Sequence, residues 1–365
     1  MARRMARPVA HLISTAFGLC RLPALLLCAA TLLSPSSAAA QSAAASAAAP
    51  AAPPGGGFGL PVDCPMWEVC SIQNYVDHDP GPGWADHTCG HLSYDGHRGV
   101  DFRVPTEIEM RRGVPVIAAA AGEVIIAKDG QPDLLMRDTG PGKTREERNG
   151  NWVALKHGDD WVTTYAHLRQ GSVAVKPGER VRRGQTLGLV GLSGNADFPH
   201  VHFAVTHENR LLDPFTGQEP SAACGAAGES LWSPAAQAQL AYRSGGLLGA
   251  GFLDRRPQDG EIYAGVEAPA FLTRQAPLLV FWTGAWGLRQ GDLQSLTVVA
   301  PTGEVAVTHT APLERNRATS TKWIGRKRPE RGWPAGLYRG IYRVERKIGE
   351  TTVIVVEAVR EIEVR

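Results

Sequence analysis

An excess of one charge is what this chain most plainly lacks. Its 365 residues carry a formal net charge of +2. That is too little for the phosphate attraction on which nucleic-acid binding rests, so no nucleic-acid partner is expected. Long apolar runs are missing as well. The clearest, Leu22 to Leu33, is preceded by Arg21 and falls short of the roughly 20 residues that span a bilayer. From 60 to 231 no long segment repeats apolar residues at the helical period of 3.6, which argues against a helical domain. Residues 251–365 hold no cysteine and a single histidine, His309, so they offer no constellation for chemistry.

What is present begins with an export signal at 1–40. Arg3, Arg4 and Arg7 supply a positive start, the apolar stretch follows, and "SSAAAQS" offers small residues for cleavage near Ala40. A permanent anchor is the alternative, weakened by Arg21. A lipid anchor at "ALLLCAA" is weaker still, because the bulky Leu27 precedes Cys28. The expected location is therefore periplasmic or extracellular, associated with the cell envelope, with no stable membrane span after processing. Of six cysteines, Cys20 and Cys28 leave with the signal. Cys64, Cys70, Cys89 and Cys224 remain, an even number in an oxidising compartment. Proximity favours Cys64–Cys70, which leaves Cys89–Cys224 to tie the start of the first domain to its end. A four-cysteine zinc site is the rival, but the spacings fit no familiar zinc pattern.

Residues 41–59 are almost all Ala, Pro, Gly and Ser. They cannot bury enough apolar surface to fold and read as a linker. Short strand-like runs broken by turn residues fill 60–231, among them "GVPVIAAAAGEVIIAKDG", "NWVALKHGDDWVTTYAHL" and "HVHFAVTHENRLLDP". The stretch 232–250 reads as a second linker with a short helix, "SPAAQAQLAYR". Alternating runs resume over 251–365. The fold class is therefore mainly β: a compact antiparallel β domain followed by a small immunoglobulin-like β-sandwich. The sandwich is expected to pack, to space, or to bind a cell-wall protein partner. Between Asp129 and Asn151 lies a polar insertion longer than a hairpin needs, either a surface loop or a functional element.

Apart from His11 and His309, the histidines fall between His78 and His207. In "GHRGVDFRVP", His97 and Asp101 are four apart, and Gly96, Gly99 and Pro105 argue against a helix. A fully extended strand would hold the two about 13 Å apart, so Gly99 is expected to let the backbone curl between them. In "NADFPHVHFAV", His200 and His202 are two apart on a strand and face the same way. Strand geometry leaves open which of them is a ligand and which a catalyst. In "VTTYAHLRQG", alternation puts His167 on the face of Thr163 and Tyr165. For His78, His87, His91, His157 and His207 a structural role is expected, with His91 also near enough to His97 to border the same groove.

"HRGVDF", "YAHL" and "GLSGNADFPHVHF" occur in the order found in the lysostaphin/LytM-type zinc metallopeptidases, which this chain resembles over roughly 90–215. The resemblance implies a peptidase domain at 60–231 with a substrate groove lined by histidines. It makes His97, Asp101 and His202 the ligands of one Zn2+, and His167 and His200 the two non-ligand catalytic histidines. Three protein ligands leave a position for water, the pattern of a catalytic site. The implied activity is hydrolysis of peptidoglycan stem-peptide cross-bridges by zinc-activated water with two assisting histidines. Val201, Ala204 and Phe198 depart from the family's usual residues without removing a ligand. Some relatives have lost ligands and serve as silent modules that activate a wall amidase. That is the alternative reading, and cleavage of proteins other than the wall is a third.

Overall fold

The computed structural model describes residues 53–365. The signal at 1–40 and most of the 41–59 linker lie outside the described residues. The linker's last residues do not behave as linker. Phe58 is fully buried, its N–H donates to the Leu231 carbonyl at 2.8 Å and its carbonyl accepts from Ser233 at 2.8 Å. Gly59 adds a bond from its N–H to the Ala119 carbonyl at 2.7 Å, so the end of this stretch is docked on the domain.

The described chain is mainly β. The first domain carries β1 (Ser71–Asn74), β2 (Val100–Arg103), β3 (Pro115–Ile117), β4 (Gly122–Lys128), β5 (Asn151–Lys156), β6 (Trp161–Leu168), β7 (Arg180–Val181), β8 (Thr186–Leu189), β9 (His200–His207) and β10 (Arg210–Leu212). Eight of these form one antiparallel sheet in the order β1-β2-β9-β6-β5-β4-β7, with β10 paired to β9, while β3 and β8 pair separately. The alternation that marks these segments sets the layering. On β9, Val201, Phe203 and Val205 are wholly buried and face the core, where Phe203 stacks on Trp232 with ring centroids 5.4 Å apart. The intervening His202, Ala204 and Thr206 turn to the opposite face. Across the ladder, Asp101 is paired with His202, and Ala166 with His202.

Both disulfides expected from proximity are present. Cys64 is bonded to Cys70 and Cys89 to Cys224. The insertion is ordered by short helices at Met136–Thr139 and Arg145–Asn149, the second closed by a Thr144/Glu147 capping box. It is tied down where the Met136 N–H meets the Ala196 carbonyl at 2.9 Å and the Gly142 N–H meets Asn195 Oδ1 at 2.7 Å.

The following β domain contains β11 (Gly246–Leu253), β12 (Leu278–Leu288), β13 (Leu293–Val299), β14 (Val305–Pro312), β15 (Arg317–Lys327), β16 (Gly336–Ile348) and β17 (Thr351–Val364). Two antiparallel sheets, β11-β12-β15 and β14-β13-β16-β17, share one core in which Phe281 and Ala285 meet Leu296, Tyr342 and Val344. Constant immunoglobulin domains put the fourth strand on the first sheet. Here it lies on the second, so the likeness is one of strand number and layering. The stretch expected to be linker as far as Ala250 is already strand from Gly246. Its glycines are needed for packing: a Cβ on Gly246 would come within 2.6 Å of the Trp286 indole, and one on Gly251 within 3.1 Å of Trp282. Trp286 in turn belongs to the first domain's core, and the two domains fall in one compact unit.

Candidate functional site

His97, Asp101 and His202 converge on the sheet face opposite the aromatic core. One ligand atom from each lies within 4.8 Å of the others. His202 Nδ1 is 2.9 Å from Asp101 Oδ1, and His97 Nε2 is 3.1 Å from the same oxygen and 3.2 Å from His202 Nδ1. Two imidazole nitrogens and a carboxylate oxygen suit a borderline divalent ion such as zinc. Two of the donors are steered from behind, as metal ligands commonly are. His97 Nδ1 sits 2.7 Å from the Tyr75 carbonyl, which fixes that nitrogen as the donor and leaves Nε2 bare. Asp101 Oδ2 accepts from Asn74 Nδ2 at 2.9 Å.

The backbone explains the convergence, though not as the motif suggests. Gly96, at φ +73°, makes the bend before His97, and Asp77 Oδ2 accepts its N–H at 2.9 Å. Gly99 serves by its small size. A Cβ there would meet the His202 ring at 2.6 Å and the Phe203 carbonyl at 2.7 Å.

His167 and His200 join the same face. Their ring centroids are 4.6 Å apart, and His167 is 5.9 Å from His202. His200 Nε2 lies 3.6 Å from Asp101 Oδ1. The expectation that His167 shares a face with Thr163 and Tyr165 is corrected. Tyr165 points into the core, its hydroxyl accepting from the Ala119 N–H at 2.8 Å. His167 has φ +64°, a left-handed conformation that breaks strand alternation and costs about 1–2 kcal/mol for a residue with a Cβ. Its Nδ1 is held 2.8 Å from the Ser193 carbonyl, and His200 Nδ1 2.7 Å from the Phe198 carbonyl. Both imidazoles therefore present an unprotonated Nε2 when neutral.

The charge states of the cluster differ. Burial pushes His167 well below the ordinary histidine range, helped by His200 and His202. Burial also lowers His200, against the opposing pull of Asp101. Asp101 is held in its charged form: burial would raise its pKa, but the neighbouring His97 and His200, with the contact from His202, hold it well below the usual carboxylate range. His167 and His200 are thus kept neutral beside one fixed anion.

Two aromatic neighbours flank these imidazoles: Tyr94, which lies outside the motifs, and Phe198, the motif residue that departs from the family's usual one. Tyr94 stacks on His97 at 4.4 Å, and Phe198 stacks on His200 at 4.5 Å with the Arg103 guanidinium 4.9 Å from its ring. The remaining histidines of this domain stand apart from the site. His78 bonds Asp213 Oδ2 at 2.8 Å, His157 bonds Thr163 at 2.9 Å, His207 stacks on Trp161 at 4.3 Å and His87 stacks on Phe215 at 4.8 Å. His91 does not border the groove. It bonds the Gly287 carbonyl of the second domain at 3.0 Å.

The chain is similar to known proteins over this first domain. The chain is 32% identical over 123 residues to the cell division protein DipM of Caulobacter vibrioides, covering 34% of this chain and 16% of that one. It is 30% identical over 126 residues to the peptidoglycan DD-endopeptidase ShyB of Vibrio cholerae, covering 34% and 24%. The match thus spans less than a quarter of either relative. Among solved structures, a zinc-containing peptidase from Vibrio cholerae is 26% identical, with 46% of this chain and 40% of that chain covered and a TM-score of 0.30. The family whose model matches is peptidase family M23, over residues 95–214, a stretch that contains HRGVDF, YAHL and HVHF.

Proposed function

We propose that this chain is an exported zinc metalloendopeptidase that hydrolyses the peptide cross-links of peptidoglycan. One zinc is held by His97, Asp101 and His202, and His167 and His200 assist. Residues 60–231 form the catalytic domain and 246–365 an accessory domain. The observation that carries this reading is the meeting of a three-donor cluster with two further imidazoles whose Nδ1 atoms are tied to carbonyls. A module that had lost catalysis would have no need of the last two.

When bound, zinc supplies a Lewis acid for the scissile carbonyl and acidifies water at its open position. The chain's own residues do the rest. His167 and His200, kept neutral by burial, offer Nε2 as proton acceptors beside the donor cluster. An imidazole protonated there can donate from the same atom to the developing oxyanion or to the leaving amine. Asn74 and the Tyr75 carbonyl hold Asp101 and His97 in place throughout.

The wall as substrate is supported by the relatives, one of which is named a peptidoglycan DD-endopeptidase. Export is supported by the basic and apolar N-terminal pattern. The test incubates purified mature protein with peptidoglycan, with and without a chelator. Release of new stem-peptide products, abolished by the chelator and restored by zinc, is the expected result. No cleavage from protein with zinc demonstrably bound would overturn the reading.

A further inference from the structure

The groove at the candidate site is not built by the first domain alone. A cavity of about 690 Å³ has Asp101 and His200 on one side and Tyr263, Arg315 and Arg317 of the second domain on the other. That volume suits a peptide-sized ligand.

The second domain's share is firmly mounted. The turn between β14 and β15 is anchored by Leu313, buried in that domain's core, whose carbonyl accepts from Gly291 at 2.8 Å and whose N–H reaches the Asp292 carbonyl at 2.8 Å. Asn316 Oδ1 accepts the Gln290 N–H at 2.9 Å. Held in this way, the turn leaves Arg315 and Arg317 exposed. The paired arginines of this domain, such as Arg339, Arg343 and Arg346, have their carboxylates elsewhere. A third guanidinium comes from the insertion: Arg137 lines the same cavity and lies 6.0 Å from the Tyr263 ring. Against these three, the lining has two carboxylates. Asp101 belongs to the donor cluster, and Asp197 accepts the Arg137 backbone N–H at 3.3 Å.

We propose that this groove binds a peptide carrying a free carboxylate beside the scissile bond, and that Arg315 and Arg317 of the second domain recognise that carboxylate. The inference rests on the peptidase reading and gives the accessory domain a part in substrate selection. A guanidinium matches a carboxylate with two parallel hydrogen bonds, which discriminates an acid from its amide better than charge alone.

The experiment uses two cross-linked stem peptides identical except that the free carboxylate beside the scissile bond is a carboxamide in one. Both are given to the zinc-loaded full chain and to an Arg315→Ala/Arg317→Ala variant. Loss of one charge-assisted pair predicts a drop of about tenfold or more in kcat/KM for the acid, mainly through KM, and less than about twofold for the amide. The Arg315→Lys/Arg317→Lys variant should recover part of the preference. Binding of fluorescent, non-hydrolysable analogues of both peptides is measured alongside. If the wild type binds acid over amide but cleaves neither, the peptidase reading fails and the recognition stands. If acid and amide suffer equally in the alanine variant, or neither suffers, the recognition fails, whatever the catalysis.

Discussion

Asn74 Nδ2 donates to Asp101 Oδ2 at 2.9 Å, across the ladder in which β1 pairs Asn74 with Asp101. The bond turns the carboxylate so that its other oxygen meets His97 and His202. Partners of this kind usually contribute 10- to 100-fold in metal affinity.

Asn74→Ala should therefore weaken zinc by about one to two orders of magnitude while leaving the fold intact, since only one buried side-chain bond is lost. Competition against a chromophoric chelator gives the affinity, and a thermal melt of the metal-free protein checks the fold. Unchanged affinity would mean that Asp101 needs no such support.

Asn74 also marks where the sequence stops being legible. The motifs around His97, His167 and His202 were readable because each packs its chemistry into a few consecutive residues. Asn74 is brought to Asp101 by strand pairing, with nothing local to announce it. The same holds for the Ser193 carbonyl behind His167. Alternation misjudged His167 itself, because a left-handed residue inside a strand (φ +64°) overrides the period of two. Gly99 stands out in its motif, but a close approach and a backbone turn both ask for glycine, and here it is the close approach to His202 that does so. The mainly β class followed from short runs and turn residues. The second domain's start was misplaced because glycines that admit tryptophan rings look like a linker.

Removing the Cys89–Cys224 bond should cost stability more than removing Cys64–Cys70. The first closes a sequence separation of 135 residues and the second one of 6. In the chain-entropy account, a loop of the longer kind contributes about 4–5 kcal/mol and a short one clearly less. Denaturant melts of Cys89→Ser/Cys224→Ser and Cys64→Ser/Cys70→Ser variants compare the two. Equal losses would contradict the entropic account.

Mild acid should loosen the seam between the two domains through His91. Burial, then the charge of Arg289, lowers its pKa to about 4, with Arg346 adding to the effect and the Gly287 carbonyl and Asp86 opposing it. Its Nδ1 accepts from Arg289 Nε at 2.6 Å, a bond that only the neutral ring can make. The unfolded value is near 6.5, so between about pH 6.5 and 4 the unfolded chain binds more protons, and His91's contribution to stability falls as pH drops. His91→Gln should flatten the slope of melting temperature against pH in that window. A slope unchanged by the substitution would remove His91 from the account.

Of the five residues, His97, Asp101 and His202 are proposed to hold metal, and His167 and His200 to act on the peptide. Metal content and peptidoglycan cleavage, measured together on His202→Ala and His200→Ala, test this division most directly. His202→Ala should lose both zinc and activity. His200→Ala should keep its zinc while cleavage falls on the order of 10²- to 10⁴-fold. Loss of zinc from His200→Ala, or a metal-replete and active His202→Ala, would contradict it.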